Sequence, residues 1–203
     1  MHIEVLVEEP SAQEALRFIL PQVLGDVPTF DIHVHQGKKD LLRKLPGRLR
    51  GYSHWLPDDW RIVVLVDNHH QDCRVLKANL EREALKAGFV TKSSPRSGRL
   101  QVLNRIVVEE LEAWLLGDLV AVQTAFPKVP GSLRSGSRFR DPDAIRGGPC
   151  EALEKLLRRA GYYKAGLPKV EAARRIATHM EPARNRSKSF QVFREGLVHF
   201  IAP

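Results

Sequence analysis

The chain has 203 residues and is 43% hydrophobic, enough for one good-sized domain, alone or with a helical appendage. No apolar run approaches the roughly 18 residues of a membrane span, and the N-terminus enters a strand without a signal-peptide pattern. Two cysteines, Cys73 and Cys150, build no disulfide framework, so the expectation is a cytoplasmic protein.

In chain order, residues 2–8 read as a buried strand. Ser11 and Glu14 stand at capping-box spacing before Leu16, Phe18, Ile19 and Leu20, which predicts a helix ending near Gly25, with Pro21 as a kink point. Alternation over residues 30–35 predicts a second strand. The basic stretch 38–50 reads as partly helical, interrupted at Pro46-Gly47. Residues 61–66 form a third strand, and a helix from about Asp72 to Lys86 stops at Ala87-Gly88. One or two more strands are expected over 100–103 and 106–108, then a helix from Glu109 to Phe126. Composition shifts after Pro127 to a loop rich in Gly, Ser and Pro, followed by helices at about 149–160, 168–180 and 189–201. This order predicts an α/β fold: a largely parallel sheet flanked by helices, with a helical C-terminal region.

Charge follows the same division. The net charge is +8, and residues 128–188 hold 15 Lys/Arg against six Asp/Glu. A basic segment of this kind is the footprint of a polyanion binder. Arg134, Arg138, Arg140, Arg184 and Arg186, interleaved with Gly, Ser and Asn, are the candidate phosphate contacts, because phosphates are held by Arg, Lys and short polar groups together.

Chemistry points to the strand ends. The first strand runs into Glu8-Glu9, and the third into Asp67-Asn68-His69-His70-Gln71-Asp72. Ligands of open parallel sheets bind outside the carboxyl ends of strands, so Glu8 and Asp67 can share a cleft. Paired carboxylates there suit Mg²⁺, which is held by one or two carboxylates, water and substrate phosphates. Bland alternatives stay open: Glu8 and Glu9 as helix-dipole partners, Asp67 as an N-cap, Glu112 as a first-turn acid, Trp114 as core. His69, His70, Asp72 and Cys73 fit no common structural zinc spacing. His33 and His35, two apart on one strand face, read as surface histidines of a sheet edge. No G-x-G-x-x-G or P-loop pattern supports a small-molecule nucleotide enzyme.

On these residues the chain resembles the Toprim superfamily, and more closely a bacterial Toprim-like family of unassigned function related to OLD-type nucleases. The resemblance rests on Val5-Leu6-Val7-Glu8-Glu9-Pro10-Ser11, Val64-Leu65-Val66-Asp67, Glu110-Leu111-Glu112-Ala113-Trp114 with Gly117-Asp118, Arg140-Asp141-Pro142-Asp143, Gly166-Leu167-Pro168-Lys169 and Asn185-Arg186-Ser187. It implies a Toprim-like metal-binding core at 1–126 with the basic helical region 127–203 packed on it. It implies Glu8 and Asp67 as catalytic and metal-binding groups, with Mg²⁺ or Mn²⁺ as cofactor. Two departures stand out: Glu9 replaces the usual Gly, and His69 replaces the second Asp of Asp-x-Asp. Imidazole suits Mg²⁺ less well than carboxylate, and Zn²⁺ or Mn²⁺ somewhat better, so either the metal differs, or Asp72 or Glu112 supplies the missing carboxylate, or the site has lost activity.

The resulting expectation is a divalent-metal-dependent nuclease. Glu8, Asp67 and Lys169 are its catalytic residues, and Glu8, Asp67, His69, Asp72 and Glu112 its metal set. DNA or RNA is the substrate, no membrane is involved, and homo-oligomerisation is left open. The resemblance further implies anti-phage defence beside an ATPase partner. The competing expectation is a non-catalytic nucleic-acid-binding or regulatory subunit with a degenerate site.

Overall fold

Four short extended runs build the sheet, three of them buried almost throughout and one, at an edge, partly exposed. In the computed structural model, which describes residues 1–26, 28–94 and 98–201, these are β1 (His2–Val7), β2 (Thr29–Val34), β3 (Arg61–Asp67) and β4 (Val102–Val107). All pairings are parallel and the order is β2-β1-β3-β4. Residues 100–108 therefore give one strand.

Helices cover both faces, as parallel sheets require. The chain leaves β1 through α1 (Pro10–Leu24) to reach β2 on one side. It then crosses back through α2 (Lys38–Trp55) to β3, and continues through α3 (Cys73–Lys86) to β4. Crossovers of one hand running in opposite directions put their helices on opposite faces. Accordingly Ile3, Val5, Val7, Val63 and Leu65 pack with α1, whereas Leu6, Ile62, Val64 and Val66 pack with α2 and α3.

The remaining chain thickens the α1 face. It comprises α4 (Leu111–Gly117), α5 (Leu119–Ala125), three short 3-10 turns between Gly131 and Ala144, α6 (Pro149–Arg159), α7 (Lys169–Ala177) and α8 (Lys188–Ile201). Leu153, Ile176, Phe190 and Phe193 join Leu16 and Trp114 in one hydrophobic cluster, so residues 127–203 share the core of residues 1–126. None of the described helices is long and apolar enough to cross a membrane.

Three local expectations are corrected. First, α2 runs unbroken through Pro46: Leu41, Leu45, Leu49 and Tyr52 form a buried stripe, and its packing outweighs the lost N–H. Second, the helix expected over 109–126 is two helices. Asp118 ends α4 and caps α5, its carboxylate accepting from the Ala121 amide at 3.1 Å. Third, the capping box does not form. Glu9 stands at the N-cap of α1, Ser11 Oγ donates to Glu9 at 2.7 Å, and Glu14 pairs with Arg17 at 3.0 Å.

Candidate metal centre

β1 and β3 are neighbours, and the crossovers that leave β1 and β3 head to opposite sides, so the crevice at their carboxyl ends is the topological switch point of the sheet. Glu8 and Asp67 emerge there. The Asp67 amide donates to Glu8 Oε1 at 2.6 Å, and the Leu111 amide, at the start of α4, donates to Asp67 Oδ2 at 3.3 Å. Both acids are buried, as is Glu112 one residue further along α4.

Cations are few around these acids. Lys38, in the first turn of α2, spends its ammonium on the carbonyls of Asp67 and Asn68 at 2.8 and 3.1 Å. Lys169, opening α7, pairs with Glu112 Oε1 at 3.2 Å. Burial pushes Glu8 up to about 7, against the Asp67 amide and Lys38, which favour its charged form. Asp67 is raised well above the usual carboxylate range by burial first, then by the charges of Glu8, Glu9 and Glu112. Glu112 is raised by burial, although Lys169 opposes it. Burial works most strongly against the Lys169 charge, but Glu112 and Glu9, with the hydrogen bond to Glu112, together outweigh it and raise that ammonium. The site holds more carboxyl groups than lysines, and without a further cation burial favours their protonated forms.

His69 stands among the acids. Its Nε2 lies 3.8 Å from Glu8 Oε2 and 4.0 Å from Asp67 Oδ2, and its Nδ1 lies 4.0 Å from Glu110 Oε1. It lines a cleft of about 510 Å³ with His70, Glu109, Glu110, Asp143, Gly148 and Glu151; Glu8, Asp67 and Glu112 do not line it themselves. The rim is held in unusual backbone. His69, His70 and Glu109 have φ of 45°, 63° and 62°. Left-handed conformations outside glycine cost about 1–3 kcal/mol each and gather at functional sites. Cross-bonds hold them: Asn68 Oδ1 accepts the Glu109 amide, His69 N donates to Glu109 O at 3.2 Å, and His70 pairs with Glu109 at 2.6 Å.

The donor types suit a divalent ion, since hard cations take carboxylate oxygens and Glu112 Oε2 is buried without a hydrogen-bond partner among the described residues. The ligand atoms of Glu8, Asp67 and Glu112 do not all lie within 4.8 Å of one another, whereas those of Glu110, Glu112 and Cys150 do, so an ion held by the first three would have to draw them together. Glu8, Asp67 and Glu112, with His69 at the rim, are the residues that would hold it.

Other sequence-based candidates lie elsewhere. Asp72 is exposed and caps α3, its Oδ1 accepting from the amides of Arg74 and Val75 at 2.8 and 3.3 Å. Among the described residues no contact joins it to Glu8, Asp67 or Glu112, so it is not the missing ligand. Arg184 is committed internally, its Nε and Nη2 both 2.8 Å from the buried Asp118 carboxylate, which removes it from the free phosphate contacts. Arg186 is exposed beside it, and Arg138 and Arg140 are exposed on the 3-10 segment. Arg134 is in the first 3-10 turn, and its side chain lies outside the described residues. Trp114 is core, with its Nε1 donating to Ser189 Oγ at 2.8 Å. His35, expected at the surface, is buried with Nδ1 3.0 Å from Val7 O.

Three site residues escaped the sequence reading. Lys38 follows the second strand as Gly37-Lys38, the third strand-end loop of the crevice, and that position was its available signal. Glu110 and Cys150 have ligand atoms within 4.8 Å of one another and of Glu112, and the Cys150 amide donates to Glu110 Oε2 at 3.1 Å. Burial and the surrounding acids push the Cys150 thiol up to about 12, so it is protonated beside the acids. Nothing in the spacing of a lone cysteine announces this.

The chain belongs to the family described as Domain of unknown function (DUF4276), whose model matches residues 7–198. No curated protein and no solved structure matches it.

Proposed function

We propose that this chain is a divalent-metal-dependent nuclease with a Toprim-like site, cutting phosphodiesters of DNA or RNA. One observation carries the reading: Glu8, Asp67 and Glu112 are buried together at a switch-point crevice without enough positive charge to balance them. Nature seldom buries carboxylates in deficit unless a cation completes them. Mg²⁺ or Mn²⁺, when bound, would polarise the phosphate and lower the pKa of a bound water.

The chain's own residues have distinct parts to play. Asp67 is fixed by its strand and by the Leu111 amide, which orients it for an ion. Glu8, with a proton affinity near neutrality in the metal-free protein, can accept or return a proton at its carboxylate. Lys169 and Lys38 supply fixed positive charge, Lys169 holding Glu112 and Lys38 holding the turn after β3. His69 has no hydrogen bond anchoring its ring among the described residues and is 46% exposed, so it is free to turn out of the crevice or into it. Arg138 and Arg140 provide exposed charge for the polyanion.

A second reading, a nucleic-acid-binding or regulatory subunit without catalysis, draws on the same imidazole standing where a second aspartate is expected. Nicking of supercoiled plasmid and cleavage of transfer RNA, each with Mg²⁺ or Mn²⁺, separate the two. The nuclease reading expects cleavage by wild type that vanishes in Asp67→Ala and responds more to Mg²⁺ in His69→Asp. Equal background in all three proteins, with nucleic acid still bound, favours the second reading.

A further inference from the structure

At the amino ends of β1 and β2, opposite the acidic crevice, a second group of ligand atoms converges that the nuclease reading does not use. Parallel pairing sets His2 beside Thr29 and Glu4 beside Asp31, and period-two alternation puts these four and His33 on one face of the sheet. His2 Nε2 lies 3.5 Å from Glu4 Oε1 and 3.5 Å from Asp31 Oδ2. His33 Nε2 closes on the other oxygen of Glu4. Neither 3.5 Å contact has hydrogen-bond geometry, for His2 Nε2 is a buried nitrogen without a hydrogen-bond partner among the described residues.

The surroundings prepare these atoms for coordination. His2 Nδ1 lies 2.7 Å from Thr29 Oγ1, a partner that can hold the ring proton there and turn the Nε2 lone pair towards the two carboxylates. Metal-bound histidines characteristically fix their second nitrogen in this way. Tyr52 of α2 donates to Glu4 Oε2 at 2.9 Å, and the Trp60 ring lies 4.1 Å from the His2 ring, closing the site from the helix side. A tetrahedral ion with N and O ligands at about 2.0–2.1 Å separates those ligands by about 3.3–3.4 Å. The 3.5 Å edges of the His2, Glu4 and Asp31 triangle match that spacing.

We infer that His2, Glu4 and Asp31 form a Zn²⁺ site that clamps the edge strand β2 to β1, with His33 and Tyr52 fixing the Glu4 carboxylate from its other oxygen. A buried imidazole with two carboxylates suits zinc better than magnesium, which distinguishes this end of the sheet from the carboxylate-rich crevice. Asp31, 71% exposed, is the open side through which the ion enters. The inference goes beyond the nuclease reading and does not depend on it.

The test uses the full chain without an affinity tag, carrying Asp67→Ala so that the crevice loses its central ligand. After chelator treatment, Co²⁺ is titrated and its visible absorption recorded, and Zn²⁺ is added in competition. The expected result is one equivalent of Co²⁺ with the intense bands of a tetrahedral site, displaced by Zn²⁺ but not by excess Mg²⁺. Adding Asp31→Asn or His33→Gln should weaken Co²⁺ binding at least about tenfold. Asp31→Asn changes an exposed side chain, so its folded state is preserved whatever happens to the His33 variant. Absence of a tetrahedral spectrum, or the same spectrum and affinity in both added variants, overturns the site and leaves His2 and Glu4 an ordinary ion pair. Loss of nuclease activity elsewhere has no bearing on either outcome.

Discussion

Two buried aspartates in this molecule have the same chemistry and opposite surroundings. Asp118 receives four hydrogen bonds: from the Ala121 amide and Arg184 Nε on one oxygen, and from the Glu181 amide and Arg184 Nη2 on the other. Among the described residues Asp67 receives one, from Leu111, and it faces Glu8, Glu9 and Glu112. A carboxylate whose acceptors are all used is part of the framework, whereas one buried among like charges is held for a ligand. Asp143 belongs with Asp118, since Ser187 Oγ, Ser189 N and Ser189 Oγ all donate to it, at 2.6, 2.7 and 3.1 Å. The difference separates the residues that build the crevice from those that would work in it.

The largest effect expected from this contrast is on stability. Asp118→Ala should cost about 3 kcal/mol in urea unfolding, because it strands two amides and a partly buried guanidinium. Asp67→Ala in metal-free buffer should cost far less, or stabilise, since it removes like-charge repulsion. Comparable losses in the two variants would break the contrast.

Next comes pH. Glu8 binds its proton more tightly in the folded chain, at about 7 against an ordinary 4.5, so the folded state holds more protons between those values. Stability of the metal-free protein should therefore fall as pH rises from about 5 to about 7.5, by on the order of 2–3 kcal/mol from this group. Asp67 and Glu112 shift in the same direction and add to the fall. Thermal melts at constant ionic strength measure it, and the slope should flatten in Glu8→Gln.

A smaller change sharpens the role of His69. His69→Asp should tighten Mg²⁺ about tenfold, roughly 1.4 kcal/mol, by adding an oxygen ligand among Glu8, Asp67 and Glu110. Calorimetric titration gives the answer directly. The smallest effect concerns the basic surface. Removing both Arg138 and Arg140 should reduce the slope of log affinity against log salt by about 1–2. Arg184→Ala should lower the melting temperature and leave that slope unchanged.

Legibility in the sequence followed locality. Glu8 and Asp67 could be read because each ends an apolar run, and a parallel sheet brings such ends together whatever their separation along the chain. The α/β order could be read for the same reason. The partnership of Asp118 with Arg184 could not, since 66 residues separate them and each looks like a solvated charge. The same holds for Gly117, where a Cβ would lie 2.1 Å from Asn185 Oδ1. The Asn185 side chain occupies that space and donates to Trp114 O at 2.8 Å. The Glu-Ala-Trp, Asp-Pro-Asp and Asn-Arg-Ser stretches thus meet in one polar knot behind the crevice. Asp72 misled because capping and metal ligation ask for the same residue type at the same kind of turn. Pro46 misled because local propensity was overridden by a buried stripe whose partners lie on another element.

The central claim is that the acidic crevice is completed by a divalent cation. Mn²⁺ binding to the metal-free protein, followed by loss of the free-ion electron paramagnetic resonance signal near neutral pH, tests it most directly when wild type and Asp67→Asn are compared under excess Zn²⁺-free Mg²⁺ competition. The account predicts Mn²⁺ binding by wild type that Mg²⁺ displaces and that Asp67→Asn, still folded, lacks. Full retention of the free Mn²⁺ signal by wild type, or equal binding by Asp67→Asn, would contradict it.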